Sequence, residues 1–380
     1  MAASSFSSLL ILLSLLSLLS TAFTSMHGFI EDPLIQQVGS SCGGGDDLLT
    51  SADLQFSAFK KKYGKTYPTQ EEDDYRFGVF ISNLRLARRH QILDPTAVHG
   101  VTKFSDLTQL EFRRQYLSSG RHEIQVPNYD IPSAPILPTN DLPPTKNWTA
   151  EGAVTLVKDQ KNCNSCWAFS TIATLEGAHF LANNKLVDLS EQQLIDCSNE
   201  CSGKNSQICN RGCEHGNRIL AYEYIKNAGG VKKAEDYPYI ANGNGYCNLT
   251  DDKSEIVASI SSYQYIEPIE DQYAAYLVKH GPISVSINVD KLYQTYESGV
   301  LCPNIGYLDN HEVTKHAVVL VGYTGNTTND HWIIKNSYGV DFGEFGYSWV
   351  CRGKLITEIN KEPTAIYVIA KNKTTSIASY

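Results

Sequence analysis

The stretch Gln160-Lys161-Asn162-Cys163-Asn164-Ser165-Cys166-Trp167-Ala168-Phe169-Ser170 decides how this chain reads. A glutamine precedes two cysteines three apart, and an apolar run follows. Ala168, Ile172, Leu175 and Leu181 recur near helical spacing, and Trp167, Phe169 and Ala173 make most of the remaining surface apolar. That pattern predicts a buried helix. Ser165 is placed to cap it, which puts Cys166 in the first turn. Unpaired backbone N–H groups and the positive end of the dipole favour an anion there, and the thiolate is the nucleophilic form of cysteine. A Cys-x-x-Cys pair also suits zinc or thiol–disulfide exchange. Zinc wants a second ligand pair at matching spacing, and no clean one is present. A thioredoxin-like pair wants a preceding βαβ unit, which the upstream residues do not offer.

Bulk properties narrow the class. The 380 residues suffice for two or more cores. A net charge of −9 argues against a nucleic-acid partner. Ten cysteines suit an oxidising compartment. Residues 1–25, with an apolar Leu/Ser-rich run and small residues near Ser20 to Ser25, read as a secretory signal peptide. No later segment is long and apolar enough to span a bilayer. Glycosylation tripeptides begin at Asn147, Asn248, Asn326 and Asn372.

In chain order, Phe56, Phe59 and Tyr63 share a helix face that Gly64 ends, and a second helix runs from about Glu71 to Gln91 with Phe77, Phe80, Leu84 and Ala87 inward. A linker at about 127–145, with Pro132, Pro135, Pro138, Pro143 and Pro144, reads as extended and accessible to proteolysis. After it come the Cys166 helix, a helix capped by Ser190, and a third over Ile219 to Ile225 that stops at Gly229-Gly230. Beyond about Ile256 the chain turns β-rich, with runs at 282–287 and 316–323. The fold class is therefore α+β: a helical lobe facing an antiparallel sheet or barrel, with a cleft between them suited to a substrate.

A thiol nucleophile needs a base. His316 opens one strand, and His331-Trp332-Ile333-Ile334-Lys335-Asn336 forms the next, after a turn rich in glycine, asparagine and aspartate. Folding the hairpin about residue 326 or 327 sets His316 opposite residues 336 to 338. Asn336 and Tyr338 share a face, so either register puts His316 beside Asn336. The asparagine can orient the imidazole, and Tyr338 can shield that bond from water. His331 is the alternative base.

These residues together resemble the papain-like cysteine proteases, although Lys161 and Asn164 replace two glycines of the family motif. Glu72, Arg76, Phe80, Asn83, Ala87 and Gln91, followed by Gly100-x-Thr102-x-Phe104-x-Asp106, are similar to the pro-segment signatures of the cathepsin F-like branch. The resemblance implies a two-lobe fold with an N-terminal helical inhibitory pro-domain. It divides the chain into a signal peptide (1–25), a pro-segment (26–140, inhibitory part about 53–110) and a peptidase domain (141–380). It implies a cysteine endopeptidase made as a zymogen, with catalytic Cys166, His316, Asn336 and Gln160, the last an oxyanion donor. Gly216, His215, Asn217, Arg218, Ser286, Ala317 and Tyr338 would line the substrate site, with Asn217 and Arg218 making the main specificity pocket more polar than usual. Lys315 stands where an aspartate is common and would disfavour the imidazolium. Protonation of Asp106 would weaken pro-segment docking at low pH. The implied disulfides are Cys163–Cys213, Cys197–Cys247, Cys201–Cys209 and, for the remaining pair, Cys302–Cys351. No metal or cofactor is implied. The implied partners are protein and peptide substrates, the chain's own pro-segment and cystatin-type inhibitors, for a monomer in the vacuole, lysosome or extracellular space. A catalytically weakened homologue acting as a binding, storage or defence protein is the alternative, kept open by Lys161, Asn164, His215 and Lys315.

Overall fold

The computed structural model describes residues 45–117, 131–199, 201, 209–243, 246–249, 255–289, 291–303, 314–325, 329–353 and 361–368. Cys42, Asn326, Asn372, the signal-peptide region and residues 118–130, which include the start of the linker, lie outside them. The chain divides into two units, Met1–Gln55 and Phe56–Tyr380. Only residues 45–55 of the first are described, as the opening turns of helix α1 (Gly45–Tyr63). All that follows concerns the second unit.

Its N-terminal segment folds around aromatic rings. Phe56, Phe59 and Phe80 are buried together, Phe80 coming from α2 (Gln70–Leu93). Thr69 caps α2 by accepting the Glu72 N–H. The polar residues singled out on α2 each make hydrogen bonds. Arg76 bonds Glu72 at 2.7 Å, Glu111 at 2.8 Å and the Asp106 carbonyl at 2.9 Å. Asn83 donates to the carbonyls of Ser105 and Leu107, both at 2.9 Å. Gln91 donates to the Ala97 carbonyl and accepts the His99 N–H. Together they pin residues 97–111 against α2. That stretch forms β1 (Ala97–His99) and α3 (Gln109–Tyr116), the latter opened by a Thr108–Glu111 capping box.

After the short β2 (Thr145–Asn147) come the helices α4 (Cys166–Asn183), α5 (Glu191–Cys197) and α6 (Arg218–Ala228). Ser190 caps α5, and Gly229 ends α6 in the left-handed region, both where the sequence signals stand. Then follow β3 (Ile260–Tyr265), α7 (Glu270–His280), β4 (Ile283–Val289), α8 (Lys291–Thr295), β5 (Tyr296–Leu301), β6 (Thr314–Thr324), β7 (His331–Lys335), β8 (Tyr347–Cys351) and β9 (Lys361–Val368). One sheet runs β1-β5-β8-β7-β6-β4-β9-β3, with β2 on β6. Its pairings are antiparallel except β5–β8, which is parallel. The β-rich half thus also holds α7 and α8. Tyr273, Tyr276 and Leu277 of α7 are buried in the main core with Val285, Leu320 and Trp332.

The two lobes are tied by buried charge. The Lys158 ammonium lies 3.1 Å from Glu176, 2.5 Å from Asp188 and 2.6 Å from Glu191. Lys335 of β7 donates to Thr155, which donates to Glu176. Breaking one member would strand another in a low-dielectric interior.

Two expectations change here. The described part of the linker is extended but docked: Ala134 and Leu137 are buried, and Leu137 exchanges two hydrogen bonds with the Gln272 side chain. Apolar residues between the prolines gave it a surface to bind. Asp106 meets Lys65 and Tyr67, both at 2.8 Å, so its charge holds the N-terminal segment together internally rather than bonding it to the rest of the unit.

Candidate active site

The described cysteines form four disulfides, Cys163–Cys213, Cys197–Cys247, Cys201–Cys209 and Cys302–Cys351. Cys166 takes part in none and is buried at the start of α4. With Cys163 bridged to Cys213, the Cys-x-x-Cys motif is no dithiol and no zinc pair. Ser165 occupies the cap position, but its side chain caps nothing. It donates to the Cys163 carbonyl at 3.3 Å and lies 3.2 Å from the Tyr239 hydroxyl. The backbone at Ser165 (φ −112°, ψ 18°) is not the extended form a capping side chain needs. Of the two residues that replace motif glycines, Lys161 takes a left-handed backbone with φ 52°, and Asn164 has no positive φ.

His316 and Asn336 meet across the β6–β7 hairpin. Val319 faces Lys335 in the register, which runs on to set His316 near Tyr338. The His316 Nε2 lies 2.9 Å from Asn336 Oδ1. That oxygen also accepts the Ser337 backbone N–H at 2.8 Å. The second donor fixes the amide orientation, so His316 Nε2 must carry the proton. Nδ1 is then bare, and it is buried without a hydrogen-bond partner. Tyr338 stacks on the ring at 4.7 Å and 12°. Burial pushes the His316 pKa down to about 4, with the Asn336 bond pulling the other way. Lys315, next in the strand, is not among the causes. His331, by contrast, sits at the far end of the hairpin, bonded to Thr324 and Asn329.

The thiol helix is brought to this strand by Ser170. It stands one turn after Cys166 on the same face and donates to the Val318 carbonyl, two residues along from His316, at 2.8 Å. The Cys166 sulfur is close enough to Tyr338 to help raise the phenol's pKa, after burial as the main cause.

Gln160 is held on both sides. Its Oε1 accepts the Ser337 hydroxyl at 2.6 Å, so its Nε2 points the other way, to the carbonyls of Cys163 at 2.9 Å and Tyr116 at 3.2 Å. Tyr116 closes α3, so the N-terminal segment places a peptide carbonyl on the Gln160 amide. Phe104, Phe112 and Tyr116 pack edge-on against Tyr338 at 5.3, 6.2 and 5.6 Å.

The remaining predicted residues are close by. A Cβ on Gly216 would stand 2.3 Å from the Trp167 ring, so that position admits only glycine. His215 is half-buried, its pKa lowered by burial and by Arg211. Asn217 is used as the α6 cap, accepting the Ile219 N–H. Arg218 is buried and donates to Ser284 at 2.7 Å and Ser286 at 2.9 Å, and Ser286 pairs with Ala317 across β4–β6. Sequence reasoning missed Ser337, which orients both Asn336 and Gln160, and Ser170. No local pattern marks either.

With a buried thiol, an oriented imidazole and a blocked amide on the page, comparison with known proteins decides the family. Residues 142–367 match the papain family cysteine protease model, and residues 56–112 match the cathepsin propeptide inhibitor domain. The chain belongs to the papain family of cysteine proteases. Among its relatives, the probable cysteine protease RD19C of Arabidopsis thaliana is 49% identical over 315 residues, covering 81% of this chain and 82% of the relative. Cysteine proteinase 15A of Pisum sativum is 45% identical over 349 residues, covering 90% and 93%. The structure of a digestive procathepsin L 3 of Tenebrio molitor larval midgut superposes with a TM-score of 0.70 at 28% identity, covering 83% of this chain and 99% of that one. The fold is papain-like, and the protein is a cysteine endopeptidase zymogen whose N-terminal helices are an inhibitory propeptide. Among the described residues no helix is long and apolar enough to cross a membrane.

Proposed function

We propose that Cys166 is the nucleophile, His316 the base and acid, Asn336 the residue that orients His316, and Gln160 an oxyanion donor. The single observation that carries this reading is the double occupation of Asn336 Oδ1, which leaves His316 Nδ1 as the proton acceptor. The thiol gives its proton to Nδ1, and the sulfur attacks the peptide carbonyl, forming an S–C bond. His316 protonates the leaving amine as the C–N bond breaks. Water then adds to the thioester, giving a proton to His316, and the C–S bond breaks to release the carboxylic acid and restore the thiolate beside protonated His316. Negative charge on the carbonyl oxygen is met by the Gln160 amide and the Cys166 N–H. In the zymogen the Tyr116 carbonyl occupies the Gln160 donor, and burial holds His316 neutral. Release of the pro-segment opens both.

Around this centre, Gly216, His215, Asn217, Arg218, Ser286, Ala317 and Tyr338 line the substrate cleft, and Arg218 with Ser286 makes its main pocket polar. The hydrogen-bonding roles of Glu72, Arg76, Asn83 and Gln91 support placement in the cathepsin F-like branch. Maturation cuts near Asp141 or Leu142, after a signal peptide over residues 1–25 is lost. The destination is the vacuole, lysosome or extracellular space. The mature enzyme is a monomer open to cystatin-type inhibitors. Asn248 is exposed and is a glycan acceptor. Asn147 is exposed too, but its Oδ1 accepts the N–H groups of Thr149 and Ala150.

A peptidyl epoxide tests the roles. After acid treatment it should label Cys166 stoichiometrically, and His316→Ala should abolish labelling while Cys163 stays bridged. Labelling that persists without His316, or that needs Cys163 reduced, would contradict the reading.

A further inference from the structure

Lys103 of the pro-segment reaches across to the peptidase domain. Its Nζ lies 2.7 Å from Asp159 Oδ2 and 2.7 Å from the Tyr338 carbonyl oxygen. We propose that these two oxygens are a specificity site of the mature enzyme, taking a lysine or arginine side chain on the leaving-group side of the cut. The Lys103 ammonium stands in for that substrate cation.

The acceptor pair belongs to the peptidase domain and does not need the pro-segment for its shape. Asp159 and Tyr338 face each other in a backbone bridge. On either side, Gln160 N–H donates to the Ser337 carbonyl and Gly339 N–H to the Lys158 carbonyl. Gly339 has φ +76°, and a Cβ there would lie 3.0 Å from Asp159 Oδ2, so the glycine leaves room for a ligand at that oxygen. The other carboxylate oxygen, Oδ1, accepts the Lys161 backbone N–H at 2.8 Å. Lys158 does not neutralise Asp159, because its ammonium is turned inward to Glu176, Asp188 and Glu191. Among the described residues, Lys103 is the one cation paired with Asp159. Its removal returns a carboxylate and a carbonyl to the cleft edge, both aimed at one point.

The position on the substrate follows from the mechanism proposed above, on which this inference rests. Tyr116 places its carbonyl on the Gln160 amide, where the reacting carbonyl oxygen would lie. Tyr338 stacks on His316, the group that protonates the leaving amine. A side chain held at the Tyr338 carbonyl and at Asp159, next to Gln160, is therefore C-terminal to the cut bond. The site is about a third exposed at Asp159 even with Lys103 in place, so its contribution is modest. It is made equally in ground and transition states and so appears in KM.

The test uses acid-matured enzyme and one quenched peptide, with lysine, norleucine or glutamate placed in turn at the first three positions after the cut. At one position lysine should exceed norleucine by about 5- to 10-fold in kcat/KM, through KM, with glutamate below both and added salt narrowing the gap. Asp159→Asn should bring the lysine-to-norleucine ratio near unity, and Asp159→Glu should restore part of it. A ratio near unity at all three positions in the unmodified enzyme overturns the proposal, as does a preference that survives Asp159→Asn. No cleavage of the norleucine peptides by the unmodified enzyme would overturn the catalytic assignment, and this site with it.

Discussion

His316→Ala in the acid-matured enzyme is expected to lower kcat/KM by roughly 10³- to 10⁴-fold, almost all in kcat. In the proposed mechanism the imidazole has two tasks, taking the thiol proton and giving one to the leaving amine, and the other candidate base stands elsewhere. His331 is bonded to Thr324 and Asn329 at the other end of the hairpin. Asn336→Ala should cost less, because Tyr338 still stacks on the ring and keeps it near its place. It frees the ring to rotate and to choose the other tautomer. Stopped assays with a peptide substrate and active-site titration separate the two effects. A His316→Ala enzyme within tenfold of the parent would contradict the role given to this residue.

Acid release of the pro-segment is expected to depend on His90. This residue is fully buried on α2, with its Nδ1 2.7 Å from the Thr295 hydroxyl of the peptidase domain. His99, from β1, approaches the same hydroxyl at 3.0 Å, and Asp94 lies 3.4 Å from the other nitrogen of His99. Burial pushes the His90 pKa from 6.5 down to about 3, with His99, Arg89 and Lys291 acting in the same direction and Asp94 against. The sign follows from linkage. The docked state holds His90 neutral and the released state lets it take a proton near pH 6.5, so docking is fully favourable above that value. It weakens tenfold per pH unit as pH falls towards about 3. At about pH 4.5 the loss is roughly 100-fold. His90→Gln keeps a hydrogen-bonding group without the titration, so its zymogen should process at markedly lower pH. Processing rates of Cys166-intact zymogen between about pH 4 and 7 give the comparison, and an unchanged profile would remove His90 from the trigger.

Much of the candidate site's geometry was legible because it is local. An apolar run at helical spacing put Cys166 on a buried helix, and the His316–Asn336 contact follows from hairpin symmetry and a period of two. The Phe56/Phe59/Phe80 core was legible for the same reason, since helical spacing alone puts those rings on inner faces. What stayed hidden depends on partners far apart in the chain. His90 meets Thr295, Lys103 meets Tyr338 and Tyr116 meets Gln160, and no periodicity links such positions. The helices α7 and α8 were missed because short strands surround them. Ser165 misled because a serine before a helix predicts a cap, whereas here the adjacent Cys163 carbonyl took its hydroxyl.

The most direct measurement is the rate at which Cys166 in the mature enzyme is alkylated by a small neutral reagent as pH is varied. A thiolate maintained by the His316 imidazolium gives a rate already high near pH 5 and level up to about pH 8, and His316→Ala moves the rise to the ordinary thiol range near pH 8.5. A parent enzyme whose alkylation rises only above about pH 8, with the same profile as His316→Ala, would contradict it.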